Sequence, residues 1–469
     1  MSEQKQLSSN PGAKSKQEKL LRVYGYVKDN LYLCHSNMQV GTSRFNSNLL
    51  LGLLTSVNRG KQLCMGEYGL GKTTSAEVLL SMTYGIPKTV MSSCSLKGHA
   101  ELTQEKMTAR LDLGQLNQGN EKPIWSNFVL LEPKIVDELN RIPESKQNLL
   151  LWGMDKGEFQ YLNELINLGE VPIFNTINYK DSGNNRIVEA LIDRCDVSDE
   201  SKFPGVNPIR IIRHQHVRSS HGARMLNHKE SEDKLYAIMK SDKPYTDKRK
   251  EMIAVQEDFK KVLEKRTGLE LLTRDELNQA YDEIRKIRIS DEADLLLDFV
   301  VSELYSCMMF GQKRSNEGCV EGCHYKELMC GKKTNCESVR NTFAENKYMQ
   351  SLAWLLGEKE VSVQHVAAIL PFVLNHKMRF TQNYIEGFKK ERRKESDPLQ
   401  MYVTKKSVAD MMQRWSKQKD AQASMFSLME AYAMNEKSSP SVAKAKLAEA
   451  QKLAKEVDHP VFYDYLKID

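Results

Sequence analysis

The sequence predicts an α/β protein in two parts: a three-layer domain built on a parallel sheet, then an all-helical domain. Three observations carry that prediction. From Asn46 to about Cys195, short apolar runs alternate with helical patterns, as in parallel sheets covered on both faces. Within this region a glycine-rich octet, Gly66–Thr73, stands between an apolar run and a helical pattern. After Pro204 the chain changes to long, charge-rich helical stretches.

Taken in order, residues 1–39 read as a leader. Met1–Lys19 is Ser- and Lys-rich and expected to be disordered, and Gln17–Leu33 mixes basic and apolar residues as a short helix or strand. Residues 40–201 are expected to form the sheet domain that carries the glycine-rich octet, with strands expected at Lys61–Met65, Thr89–Met91, Lys134–Val136 and Val171–Thr176. Residues 202–384 form the helical domain, with Lys248–Arg288 and Asp291–Met309 as its clearest helical stretches and a Cys-rich insert at about 312–337. Residues 385–469 add a helical extension of two or three helices, with caps near Ser438 and Pro440. At 469 residues and 40% hydrophobic content, the chain can bury two or three cores.

The net charge of +6, from 68 basic and 62 acidic residues, is too small to name nucleic acid as a partner. No run of about 18 apolar residues exists, and the start lacks the apolar stretch of a signal peptide. A cytoplasmic protein with no membrane insertion is expected.

The octet Gly66-Glu67-Tyr68-Gly69-Leu70-Gly71-Lys72-Thr73, followed by Thr74, fits the P-loop pattern. Its glycines let backbone N–H groups turn toward a β-phosphate. Lys72 places its charge between the β- and γ-phosphates, and the Thr73 hydroxyl can ligate Mg²⁺ at the start of the helix. Such a site needs an outer carboxylate for the metal and a group to activate water. Asp137 and Glu138 end the apolar run from Lys134; Asp137 suits the Mg²⁺ shell and Glu138 the water.

Val136-Asp137-Glu138-Leu139-Asn140-Arg141-Ile142-Pro143 and Lys146-Gln147-Asn148-Leu149-Leu150 resemble the MoxR branch of AAA+ ATPases. The likeness continues through Phe174–Asn178, which resembles the strand ending in the sensor-1 asparagine. Glu189–Arg194 resembles the helix ending in the arginine finger. Leu271–Leu277 with Ile287–Glu292 is similar to paired lid helices, and Ser338–Thr342 to the start of the sensor-2 helix. The resemblance implies an AAA+ three-layer P-loop domain with a helical lid that hydrolyses ATP. It implies that Asn178 orients the γ-phosphate or lytic water, that Arg194 reaches a neighbouring subunit's nucleotide, and that Arg340 grips the γ-phosphate. Arg141 is open between a subunit interface and a salt bridge within its own domain. The resemblance further implies a ring, a hexamer first, that remodels a protein client, with von Willebrand factor A domain proteins as candidates. Tyr68 stands where the family has proline, and Val197–Glu270 is longer than a usual lid entry. Met107–Pro123 occupies the place of a partner-contacting insert.

Cys319, Cys323, Cys330 and Cys336 fall at spacings that suit tetrahedral Zn²⁺, and an iron–sulfur cluster accepts the same set. Cys307 reads as core. Arg210, Arg213, His214, His216, Arg218, His221 and Arg224 make one basic run and Lys389–Lys394 another, without interleaved aromatics for base stacking. Two other functions therefore stand beside the protein remodeller: a DNA or RNA translocase, and a nucleotide-gated scaffold with low turnover.

Overall fold

The computed structural model describes residues 14–179, 185–218, 225–305, 323–335, 338–391 and 397–467. Among them, five strands form one parallel sheet: β1 (Lys61–Gly66), β2 (Leu96–Lys97), β3 (Lys134–Asp137), β4 (Ile173–Asn178) and β5 (Val197–Glu200), in the order β5-β1-β4-β3-β2. The predicted architecture is the observed one, a P-loop sheet domain followed by a helical lid. Register sets Gly66 opposite Asn178 and Met65 opposite Glu200. The carboxyl ends of β1, β4 and β5 are therefore level, and ligands in open α/β sheets bind at that edge.

One expected strand fails, and β5 goes unpredicted. Thr89–Met91 lies inside a helix, Lys88–Cys94, whose Val90, Met91 and Cys94 are buried. Their spacing is that of one helix face, and the strand beside it, β2, is too short to signal itself. β5, with sequence VSDE, carries too little apolar character to read as a strand, yet its first three residues are buried. Asp199 is 2% exposed.

Helix α1 (Lys16–Tyr26) begins within the expected disordered leader, N-capped by Ser15. Leu20, Val23 and Tyr24 pack into the helical core, and Lys16 and Lys19 pair with Glu283 and Glu276. Helix α2 (Ser47–Asn58) is buried on every side, its polar residues Ser47, Asn48, Thr55, Ser56 and Asn58 included. It lies between the sheet domain and the lid, where Thr55 Oγ1 meets Tyr348 Oη at 2.6 Å and Asn58 Nδ2 donates to Ser351 Oγ at 2.9 Å. Helix α3 (Lys72–Tyr84) follows the glycine octet. Helix α4 (Glu144–Lys156) ends on Gly157 in the left-handed region.

The helical half holds more breaks than the sequence pattern shows. The Lys248–Arg288 stretch divides into Tyr245–Thr267 and Arg274–Ile284, separated by Gly268 at φ +70° and restarted by a Thr273/Glu276 capping box. Leu235, Met239 and Met252, from the lid entry, pack with the sheet domain's core. Helix α5 (Arg340–Leu355) packs on α2. The extension folds as α6 (Leu399–Asn435), Pro440–Val457 and Pro460–Tyr465, with Pro440 at the helix start as expected. It joins the lid core rather than standing apart: buried Glu303 accepts from Arg414 Nε at 2.7 Å and NH2 at 2.6 Å. No helix among the described residues is long and apolar enough to cross a membrane.

Candidate functional site

The octet turns because Gly66, Gly69 and Gly71 take φ of +140°, +77° and +74°, values that L side chains rarely adopt. A Cβ on Gly66 would lie 2.9 Å from the Ser201 carbonyl oxygen. Gly71 caps α3 without a side-chain acceptor, so the first-turn N–H groups face the loop, the arrangement that binds anions. Lys72 is buried and folds back on its own loop. Its Nζ donates to Gly66 O at 3.0 Å, Glu67 O at 2.7 Å and Asn178 Oδ1 at 2.8 Å. Burial holds its pKa below the ordinary lysine value. Tyr68 projects from the loop, 75% exposed. Tyr32, unmarked by any sequence pattern, lies against Gly71 and shares Ser201 Oγ at 3.0 Å, which donates to Leu70 O at 2.7 Å.

The acidic pair meets this loop from β3. Asp137 Oδ1 accepts from Thr73 Oγ1 at 2.5 Å and from Thr176 Oγ1 at 2.7 Å. Glu138 sits at φ +54°, a strained position for a non-glycine residue that tertiary contacts must hold. Thr176 Oγ1 accepts its backbone N–H at 2.9 Å. Asn178 Nδ2 donates to Glu138 Oε1 at 2.8 Å, and Arg141 pairs with Oε2 at 2.8 Å. Arg141 therefore forms the intradomain salt bridge of its two expected roles. Asn140 grips the backbone of Asn178 on both sides, donating to its O at 2.9 Å and accepting from its N at 3.4 Å. Thr176 and Asn140 carry no role in the sequence pattern. Thr176 had a usable signal, since it lies two residues before Asn178 on the same strand face.

Arg194 and Arg340 lie elsewhere. Arg194 Nε donates to Asp155 Oδ2 and NH1 to Ala190 O, both at 2.7 Å. Arg340, the first residue of α5, pairs with Asp193 at 2.9 Å and lies 3.7 Å from Asp155. Both arginines line a cavity of about 350 Å³ together with Lys61, Asp155 and Lys347. Lys61 opens β1 and Gly66 closes it. At roughly 3.3 Å per residue this strand separates the cavity from the loop by roughly 17 Å. Arg340, expected to grip a γ-phosphate, thus lies away from the glycine loop of its own chain. The helix it begins packs along α2 and delivers Arg340 to Arg194.

Of the cysteine set, Cys319 and Cys336 lie outside the described residues, as does Cys307. Cys330 is buried and donates to Tyr325 O at 3.6 Å, while His324 pairs with Asp458 at 3.1 Å. Among the described residues no cluster of three or more His, Cys, Asp or Glu side chains suits a metal, so zinc and iron–sulfur gain no geometric support. Arg210, Arg213 and His214 are exposed on the helix Val206–Arg218. His221, Arg224 and the side chains of His216 and Arg218 lie outside the described residues, as do Arg392, Arg393 and Lys394 of the second basic run. The Met107–Pro123 insert carries a hairpin, Ala109–Leu111 with Pro123–Trp125, and beyond its first strand Leu113 is exposed.

Neither a family model nor a curated protein sequence matches this chain. In structure it is similar to a protein of Cytophaga hutchinsonii described as a "putative ATPase". The TM-score is 0.53 at 14% sequence identity, over 85% of this chain and 96% of that one. A likeness of that kind establishes fold rather than function, and the fold is a P-loop sheet domain with a helical lid.

Proposed function

We propose that this chain is an ATP-hydrolysing motor of the MoxR-like AAA+ type, active as a ring. The observation that carries the reading is Asn178, whose amide joins Lys72 on one side to Glu138 on the other. A P-loop lysine, a carboxylate and a neutral amide in one hydrogen-bonded chain are the parts that phosphoryl transfer to water needs.

Each residue then has a task. Lys72 leaves the loop carbonyls it now caps for the β- and γ-phosphate oxygens. Glu138, held by Asn178 and Arg141, accepts the proton of the attacking water, and Asn178 orients that water. The hydroxyl of Thr73 and the carboxylate of Asp137 are hard oxygen donors already in contact, and they fit Mg²⁺, which supplies positive charge against the phosphate oxygens. Arg194 and Arg340 are too far from their own loop to serve it, so we assign both to the nucleotide of a neighbouring copy. The ring, a hexamer by resemblance, follows from that assignment. Its output would be remodelling of a protein client, with von Willebrand factor A domain proteins as candidates. The exposed Leu113 of the Met107–Pro123 insert is a candidate contact.

Glu138→Gln should abolish turnover while leaving ATP binding intact; unchanged turnover refutes the assignment. The exposed Arg210 and Arg213 favour the translocase as a second reading. ATPase assays with and without single- and double-stranded DNA at low salt separate the two, because strong stimulation by DNA would overturn the protein-remodelling reading.

A further inference from the structure

We infer that Asp155 is a positioning residue that sets Arg194 and Arg340 as a pair toward the nucleotide of a neighbouring copy of this chain. The inference rests on the assignment in trans proposed above and adds the group that makes the two arginines one unit.

Asp155 Oδ2 accepts from Arg194 Nε at 2.7 Å and lies 3.7 Å from Arg340 NH2. One carboxylate oxygen thus stands between two guanidinium groups that come from different domains. Without it no carboxylate would stand between the two cations, since the cavity's other acids lie elsewhere on its wall: Glu170 pairs with Lys347, and Asp196 accepts from the Lys61 backbone. Asp193 takes the other side of Arg340 at 2.9 Å, and the Ala190 carbonyl takes NH1 of Arg194. These contacts fix the planes of both guanidinium groups. Arg194 NH2 keeps no protein partner among the described residues, although its side chain is only 15% exposed, and the Arg340 side chain is 47% exposed. Rigid forks with open donors suit the spread charge of a phosphoryl group.

Helix stability does not account for an acid at this place. Asp155 lies in the last turn of α4, before Lys156 and the Gly157 cap, where the carbonyl end of the helix dipole disfavours negative charge. The opposite end of α4 follows Arg141, which pairs with Glu138. Gln147, in the same helix, donates to Arg186 O at 3.1 Å and accepts from Val188 N at 2.8 Å. That clamp holds the segment leading into Glu189–Asp193 and Arg194. One rigid helix therefore bears on both the chain's own acid and the arginines it would lend to its neighbour.

The test uses full-length protein and mixed subunits. Asp155→Ala should lower kcat about 10–100-fold, within what a displaced arginine finger costs, with KM for ATP changed less than about twofold because the loss falls on the transition state. Asp155→Glu should recover part of kcat. Mixing Asp155→Ala with an excess of Lys72→Ala subunits, which lack a working loop but carry intact arginines, should restore turnover at the Asp155→Ala subunits' own loops. Wild-type kcat in Asp155→Ala, or a defect that mixing leaves in place, overturns the inference. Arg194→Ala taken through the same mixing separates the two levels. Rescue of Arg194→Ala without rescue of Asp155→Ala removes only the role of Asp155, whereas rescue of neither removes the assignment in trans. If the alanine variant does not assemble, Asp155→Asn, which keeps the volume and loses the charge, is measured with the same outcomes.

Discussion

Asn178 donates to Glu138 at 2.8 Å, and that bond holds a carboxylate whose own backbone is strained at φ +54°. Asn178→Ala leaves Glu138 without its amide partner and Lys72 without its side-chain acceptor. The expected outcome is a fall in kcat of about 10²-fold, the scale of a mispositioned general base, with nucleotide affinity nearly unchanged. Steady-state ATPase assays paired with a binding titration check it, and a loss confined to affinity would refute it.

Gly66 is the loop position with least freedom. Its φ is +140°, and any Cβ added there would meet the Ser201 carbonyl oxygen at 2.9 Å, so Gly66→Ala must shift backbone rather than a side-chain tip. A destabilisation of about 1–3 kcal/mol is expected, together with loss of ATP binding. Chemical denaturation and a fluorescent-nucleotide titration measure the two effects.

Arg194→Ala should reduce kcat by about 10³-fold if it serves a neighbour's nucleotide. Binding of ATP to the variant's own loop should be unaffected, since β1 separates them. A comparable loss of ATP affinity would contradict the separation described above.

Asp199 gives a pH signature. Burial pushes its carboxyl up from 3.8 to about 6, so between those values the folded state holds more protons than the unfolded chain. Its contribution to stability therefore falls as pH rises from about 4 to about 6 and stays low above. Asp199→Asn, which does not titrate, should gain stability on the parent across that window and keep a gain of roughly 2–3 kcal/mol above it, at about 1.4 kcal/mol per unit. Urea melts of both proteins at pH 4, 5, 6 and 7 test the trend.

Glu303 anchors the C-terminal extension. Its side chain is 0% exposed, and Arg414 reaches it through two nitrogens. Glu303→Ala should cost about 3 kcal/mol, as expected when one partner of a buried pair is removed. Faster proteolysis within 397–467 than within the sheet domain would show the extension releasing first.

The glycine loop and its acids were legible because their signals are local. Gly66, Gly69 and Gly71 are needed by the turn itself, and Asp137 and Glu138 follow their own apolar strand directly. Asn178, Arg194 and Arg340 were legible only as parts of a resemblance, and no single residue marked its neighbours. Asn140 escaped because an asparagine two residues after an acid has many ordinary uses, and Thr176 was passed over although it shares a strand face with Asn178. Their role here comes from β3 and β4 lying side by side.

By itself, the sequence determined the strand–loop–helix unit around Lys72, the change from sheet to helix near Pro204, and the helical tail. Each of these is written in the periodicity or turn chemistry of adjacent residues. Tertiary structure alone decided that VSDE forms β5, that Lys16–Tyr26 docks on the lid, and that Arg340 joins Arg194 rather than Lys72. Those outcomes depend on burial and on charge pairs between distant segments, such as Arg340 with Asp193, and the energy of such pairs exists only once the chain has brought them together.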